Sequence, residues 1–137
     1  DVAYRALRAN VKSRKEVGVD TEGLFHGRPL MVQMSGPSVI VVELVTHHPD
    51  NVVTLSHEAR DILSSTKIYK FVFGEDSNMF HGICDFKNFR NLQDSFVSAD
   101  NPLESVGLAN AVTSLSGEQW TKESIWTTYN GACQAKH

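Results

Sequence analysis

The chain has 137 residues, of which 41% are hydrophobic and 21% are charged, and its formal net charge is −3. This length predicts a single domain, residues 1–137, with enough chain to bury a core. The acidic balance excludes a global basic field, so nucleic-acid binding would need a local basic patch. No apolar run is long enough to span a membrane, and no membrane role is expected.

The two cysteines, Cys84 and Cys133, are spaced neither as metal ligands nor as a redox pair. A reducing compartment is therefore predicted, which places the protein inside the cell, in the cytoplasm or nucleus. The chain begins at Asp1 rather than at Met. We expect it to be a fragment of a longer chain.

The first half of the chain alternates between helical and extended patterns. Residues 2–14 carry apolar side chains at helical spacing with basic residues on the other faces, which predicts an amphipathic helix. Strands are predicted at 16–20, 29–35 and 38–45, the last so apolar that burial on both faces is expected. The Gly36-Pro37 turn indicates an antiparallel meander.

The second half predicts a crossover followed by helices. Thr54 or Ser56 is expected to cap a helix that runs to about Leu63, and a strand follows at 67–73. A helix between two strands predicts that those strands pair in parallel. Further helices are predicted at 76–81, 105–115 and 118–129, while 85–91 is ambiguous. His47 and His48 are interpreted as loop residues.

Two acidic side chains mark the end of the first strand. Asp20 and Glu22 are two residues apart, so on an extended chain they point to the same face. Two such carboxylates repel unless a cation or proton lies between them. Mg²⁺ and Mn²⁺ are the hard cations that prefer oxygen ligands of this kind. The alternative is a solvated strand end.

The order of elements is that of a ribonuclease-H-like fold, a three-layer α/β/α arrangement whose mixed sheet combines a three-strand meander with parallel crossover strands. The segments 17–23 and 29–34 resemble the first motif of the DEDD 3′–5′ exonucleases of the RNase D and Werner type: a strand, Asp-x-Glu, a turn and an apolar strand with Gln. Residues 62–74 resemble that family's approach to its second motif, and 107–112 its Leu-Ala helix.

The resemblance implies a catalytic site of four acids and two divalent ions, one activating water and the other stabilising the leaving oxygen at an RNA or DNA 3′ end. Asp20 and Glu22 match the first two acids. Without a gap, the second motif places Asn78 where the family has a catalytic Asp; with two residues fewer, Asp76 takes that role. The implied cofactor is Mg or Mn, if the site is functional.

The last motif is incomplete by the same comparison. Tyr129 is the nearest match to the family's tyrosine, and Cys133 then stands where an Asp belongs. After the second motif the family often shows Asn-x-x-Asp-Thr. Residues 91–95 can match this pattern with Asp94 as the acid, and residues 88–93 can match it with Asn91 in that place. The second match looks like the Egalitarian-type members, which often carry degraded sites. The resemblance therefore implies an under-charged metal site.

Three functions are compatible with these residues. The first is a catalytically impaired exonuclease-like domain, a pseudoenzyme that binds RNA or protein partners as a scaffold in RNA processing or a small-RNA pathway. The second is an active metal-dependent 3′–5′ exoribonuclease that uses Asp20, Glu22 and Asp76 on single-stranded RNA 3′ ends. The third is a homodimerisation module without a nucleic-acid role.

Overall fold

The computed structural model describes residues 1–74, 76–96 and 106–118, with the backbone alone at Asp76 and Ser77. The chain divides into two compact units, Asp1–Leu92 and Gln93–His137. The single domain over residues 1–137 stays a prediction. In the described residues no helix has both the length and the apolar character that a membrane crossing requires.

The first unit is built on a five-stranded mixed sheet in the order β3-β2-β1-β6-β7. The meander β1-β2-β3 is antiparallel, whereas β6 pairs in parallel with both β1 and β7. The mixed sheet predicted from the sequence is thereby confirmed. The strands of this sheet are β1 (Glu16–Glu22), β2 (Met31–Ser35), β3 (Ile40–Leu44), β6 (Tyr69–Val72) and β7 (Phe89–Asn91).

Two helices of this unit, α1 (Val2–Asn10) and α2 (His57–Ser64), contribute to its apolar core. Tyr4 and Leu7 of α1 are buried, as are three residues of α2. Strand residues such as Val17 and Met34 complete the core. The alternation of these apolar side chains with exposed neighbours explains why β1 and β2 each present one face to the helices.

The helix that crosses between β3 and β6 begins as predicted at Ser56. The Ser56 hydroxyl accepts a hydrogen bond from the backbone N–H of Ala59, which satisfies one of the unpaired donors at the helix start. The parallel pairing of β6 with β1 is also confirmed, with Val17 opposite Lys70. β6 is shorter than predicted because the Ser65 hydroxyl holds the amides of Lys67 and Ile68 in a turn.

The prediction that strand 38–45 is buried on both faces is wrong. β3 is an edge strand, and only one of its faces meets the core: Val41 is buried, while Ile40, Val42 and Leu44 are 68%, 55% and 75% exposed. Glu43 points inward, where its carboxylate accepts hydrogen bonds from the Tyr4 hydroxyl at 2.9 Å and from Ser56. A continuous apolar run does not distinguish an edge strand from a central one.

Smaller differences follow from local contacts. α1 ends at Asn10 rather than at residue 14, and the Asn10 side-chain oxygen accepts hydrogen bonds from the amides of Ser38 and Val39 in the β2–β3 turn. A two-stranded hairpin, β4 (Thr46–His47) and β5 (Val53–Thr54), occupies the predicted polar loop. The second unit contains α3 (Leu108–Ser116). The helix predicted at 118–129 lies outside the described residues beyond Glu118.

Candidate metal and nucleic-acid site

β1 places Asp20 and Glu22 on one face of the sheet near its carboxyl end. Val17 and Val19 are buried on the opposite face, whereas both carboxylates are exposed. Gln33 of β2 lies directly across from Asp20, and Met31 lies across from Glu22. Because β1 is the middle strand of the sheet, this pair of acids sits where two different loops can approach it.

The second predicted motif lies beside the first. β6 is parallel to β1, so the carboxyl ends of both strands lie at the same edge of the sheet. After β6 the chain forms a short 3₁₀ helix, Asp76–Phe80, which packs against β1. Phe80 is fully buried and anchors this helix to the core. Both candidates for the third acid position, Asp76 and Asn78, belong to this helix.

Asn78 faces a cleft that does not include the carboxylate pair. The cleft has a volume of about 450 Å³, and it is lined by Asn78, Phe80, His81, Cys84, Asp85, Phe86 and Phe89. Asp20 and Glu22 are not among these lining residues. A 3₁₀ helix has three residues per turn, so positions 76 and 78 do not share a face. The two alignments of the second motif therefore place the third ligand on different faces of this helix.

The donor set suits a hard divalent cation only in part. Two carboxylates two residues apart on a strand supply oxygen ligands of the type that Mg²⁺ and Mn²⁺ prefer. Among the side chains that the structure describes, those of residues 1–74, 78–96 and 106–118, no three His, Cys, Asp or Glu come together as a metal site. The described residues thus provide two of the expected acidic ligands.

Arg28 connects the turn after β1 to the loop after the 3₁₀ helix, a contact that the sequence does not signal. Its guanidinium donates to the backbone carbonyl of His81 and lies against Gly82. The turn itself closes through reciprocal backbone hydrogen bonds between Phe25 and Arg28, at 2.8 and 3.0 Å. Arg28 therefore connects the turn after the first motif to the loop after the second motif.

Histidines near this turn have structural partners. The His47 ring bonds the carbonyl of Pro29, and the His48 ring bonds the Thr54 hydroxyl, each at 3.0 Å. Both were predicted to be loop residues, but His47 is the last residue of β4. His26 is exposed with a positive φ of 50° and meets the Phe25 ring edge-on. A second cleft, about 330 Å³, is lined by Phe25, His26, Arg28, His47, His48, Asn51 and Val53.

Two asparagines hold the loops that flank β6. Asn91 accepts a hydrogen bond from the amide of Gly74, where the chain leaves β6 for the second motif. Asn88, at a positive φ of 56°, donates to the carbonyls of Thr66 and Ile68 at the other end. Their roles as loop anchors show why a side-chain amide suits these two positions.

A fully buried lysine lies in β6, opposite Val17 and therefore on the face of the sheet away from the carboxylates. The Lys70 ammonium donates to the carbonyls of Ser65 and Ile68, and burial lowers its pKa to about 8. Burial also raises the pKa of the Cys84 thiol to about 11. Such a thiol is a poor nucleophile at neutral pH, in agreement with the absence of a nucleophile motif around it. Tyr129 and Cys133 of the last motif lie outside the described residues.

The chain matches no protein-family model and no curated protein sequence. Its structure is similar to solved 3′–5′ exonuclease structures. The EXD2 exonuclease domain soaked in Mg has a TM-score of 0.57 at 22% identity over 69% of this chain and 52% of that one. The same domain soaked in Mg and dGMP has a TM-score of 0.56 at 18% identity, over 96% and 78%.

Escherichia coli RNase D, an exoribonuclease involved in structured RNA processing, has a TM-score of 0.64 at 20% identity over 89% of this chain. The chain spans about half of the first EXD2 domain structure, 52%, and 33% of RNase D. These similarities, together with the strand order and the position of the Asp-x-Glu pair, show that the chain has the ribonuclease-H-like fold of the DEDD 3′–5′ exonucleases.

Proposed function

We propose that this chain is a 3′–5′ exonuclease-like domain with an incomplete metal site, which binds single-stranded RNA or a protein partner as a scaffold. The observation that carries the proposal is the carboxylate pair Asp20 and Glu22, for which the side chains of residues 1–74, 78–96 and 106–118 supply no third acidic ligand. The ungapped alignment, which puts Asn78 where the family has a catalytic Asp, supports it further, because an amide lacks the charge that holds a hard dication tightly.

Asp20 and Glu22 are the residues that would hold a divalent ion. When bound, such an ion supplies activation of water and charge stabilisation at a phosphodiester. The chain's own contribution is the geometry: β1 fixes both carboxylates on one face, and Arg28 fixes the neighbouring turn. With fewer acids than four, the affinity for the ion falls, and a misplaced ion slows the reaction by orders of magnitude.

The second candidate function is an active metal-dependent exoribonuclease. The observation in its favour is the position of Asn78 at the cleft that excludes Asp20 and Glu22. If Asn78 does not face the carboxylates, Asp76 on the same helix becomes the candidate for the third acid. In that case Asp20, Glu22 and Asp76 would be the metal ligands.

The test incubates the natural full-length protein with 3′-labelled single-stranded RNA and Mn²⁺. Asp20→Ala is compared with Glu16→Ala, a matched control because Glu16 lies on the same strand and is also exposed. We expect retention of RNA on a filter at low salt without shortening by any variant. Shortening that is lost in Asp20→Ala and kept in Glu16→Ala would establish the active enzyme instead.

Asp76→Ala decides between the two registers if shortening occurs. Loss of shortening in this variant assigns Asp76 as the third acid. Unchanged shortening excludes Asp76 from that role. Mn²⁺ binding measured by electron paramagnetic resonance reports on the carboxylate pair independently of turnover. The scaffold proposal is overturned if the protein neither retains RNA nor captures any protein from its natural source.

A further inference from the structure

The open edge of β3 combines exposed apolar side chains with unpaired backbone groups. Ile40, Val42 and Leu44 all point away from the core and are more than half exposed. β3 is the outermost strand of the sheet, so one of its sides has no neighbouring strand among the described residues. An unguarded edge of this kind is a template for pairing with another strand.

The backbone direction of β3 follows from two hydrogen bonds at its ends. The carbonyl of Val39 accepts from Gly36, and the amide of Val45 donates to Leu30, at 2.8 and 2.9 Å. Odd-numbered residues therefore turn their backbone groups toward β2. In a strand the direction alternates, so Ile40, Val42 and Leu44 present their N–H and C=O groups to the open edge.

The usual devices that protect an edge are missing from this strand. It has no lysine, arginine or proline between residues 39 and 45. Its single charged side chain, Glu43, is turned inward and bound by Tyr4 and Ser56. The edge of β7, by contrast, is three residues long and carries Arg90. Only β3 offers a long uncharged edge within the described sheet.

From these observations we infer that β3 pairs antiparallel with β3 of a second copy of the chain, around a two-fold axis at Val42. This goes beyond the proposed function and does not depend on it. Outward-facing groups must meet outward-facing groups, so the axis passes through a residue and not between two residues. Val42, the middle residue, gives the greatest overlap of the five possible axes.

Pairing at this axis is self-complementary. Ile40 lies opposite Leu44 of the other copy, Val41 opposite Glu43, and Val42 opposite itself. No like charges meet, and apolar cross-strand pairs of this kind stabilise antiparallel strands. A second copy fits this edge because, around this axis, the exposed apolar side chains meet one another and Glu43 lies opposite Val41 and not opposite another Glu43.

The test measures the mass of the full chain in solution and the effect of a charge at the axis. Analytical ultracentrifugation of the unaltered protein is expected to give twice the mass of the chain at micromolar concentration. Val42→Lys places two lysines opposite each other and is expected to give the mass of one chain. Val52→Lys, at a residue that is 48% exposed in the β4–β5 hairpin, is the matched control and should remain dimeric.

Mixing Val42→Lys with Val42→Glu distinguishes lost pairing from lost folding. The two variants have opposite charges at the axis, so the mixture should recover the dimer that neither forms alone. Val42→Pro, which removes an amide that faces the open edge, should be monomeric and folded by circular dichroism. A monomeric unaltered protein, a dimer in Val42→Lys, or a mixture that stays monomeric overturns the inference.

Discussion

The guanidinium of Arg28 donates a hydrogen bond to the backbone carbonyl of His81, 53 residues further along the chain. The contact joins the turn that follows the carboxylate strand to the loop that follows the 3₁₀ helix of the second motif. The spacing between the two halves of the candidate site therefore depends on a side chain that belongs to neither motif.

Arg28→Ala is expected to loosen the loop after the 3₁₀ helix while the core stays folded. The hydrogen bond is exposed, so its loss should cost at most about 1 kcal/mol of the free energy of unfolding. Hydrogen exchange at the amide of Ile83, which donates to Phe80 at 2.9 Å, should become faster. Arg5→Ala, at an exposed position of α1, is the control. Equal exchange at Ile83 in both variants would contradict the role of Arg28.

Tyr4 and Glu43 are expected to be energetically coupled. Glu43→Ala removes the acceptor shared by Tyr4 and Ser56 and should lower the free energy of unfolding by about 2 kcal/mol, because buried donors lose their partner. Tyr4→Phe should cost about 1 kcal/mol alone and much less in the Glu43→Ala background. Urea unfolding of the double-mutant cycle measures this coupling, and additive effects would disprove it.

The buried Lys70 predicts that stability rises with pH. Its pKa is about 8 in the folded chain and 10.5 ordinarily, so between these values the unfolded chain binds more protons. The free energy of unfolding should therefore increase by about 1 kcal/mol from pH 7 to pH 9. Lys70→Met should abolish this increase, and Lys67→Met, at an exposed position, should keep it.

Cys84 acts in the opposite direction above pH 9, since its pKa of about 11 exceeds the ordinary 9 and the unfolded chain ionises first. The measurement is therefore made by urea unfolding in a Cys84→Ala background. A flat profile in that background, before Lys70 is changed, would contradict the assignment to Lys70.

The substitution Gly36→Ala is expected to create a steric clash with the side chain of Asn10. A Cβ there would lie 2.3 Å from Asn10 Oδ1, which holds the β2–β3 turn by accepting from Ser38 and Val39. Gly36→Ala should cost about 2 kcal/mol of the free energy of unfolding, as overpacking does. Its cost in an Asn10→Ala background should be smaller but not zero, because Val11 Cγ1 would still lie 2.9 Å from the new Cβ. Equal costs in both backgrounds would show that the side chains do not meet.

Local patterns in the sequence were sufficient for much of the sheet. The alternation around Val17 and Val19 predicted β1, and the Ser56 cap predicted the crossover helix that makes β6 parallel to β1. The prediction that β3 is buried on both faces was wrong because an apolar run carries no information on how many neighbours a strand has. β7 was ambiguous because Phe86 and Phe89 also fit a helix, and their pairing with β6 is decided by tertiary contacts.

The candidate site was predictable where it is local and not where it is assembled from distant segments. Asp20 and Glu22 are two residues apart, so their shared face follows from the strand alone. Arg28 and Asn91 act on loops far along the chain, on His81 and Gly74, and neither has a sequence signal. The choice between Asp76 and Asn78 depends on the orientation of a single helical turn, which spacing does not fix.

The inward-facing Glu43 has a consequence for how the molecule opens. One carboxylate binds Tyr4 of α1 and Ser56 at the start of α2, and its own residue lies in β3. None of these three elements can detach without leaving a polar group unpaired in the interior. They should therefore exchange their amide hydrogens as one cooperative unit, so that α1 does not open independently of β3 and α2.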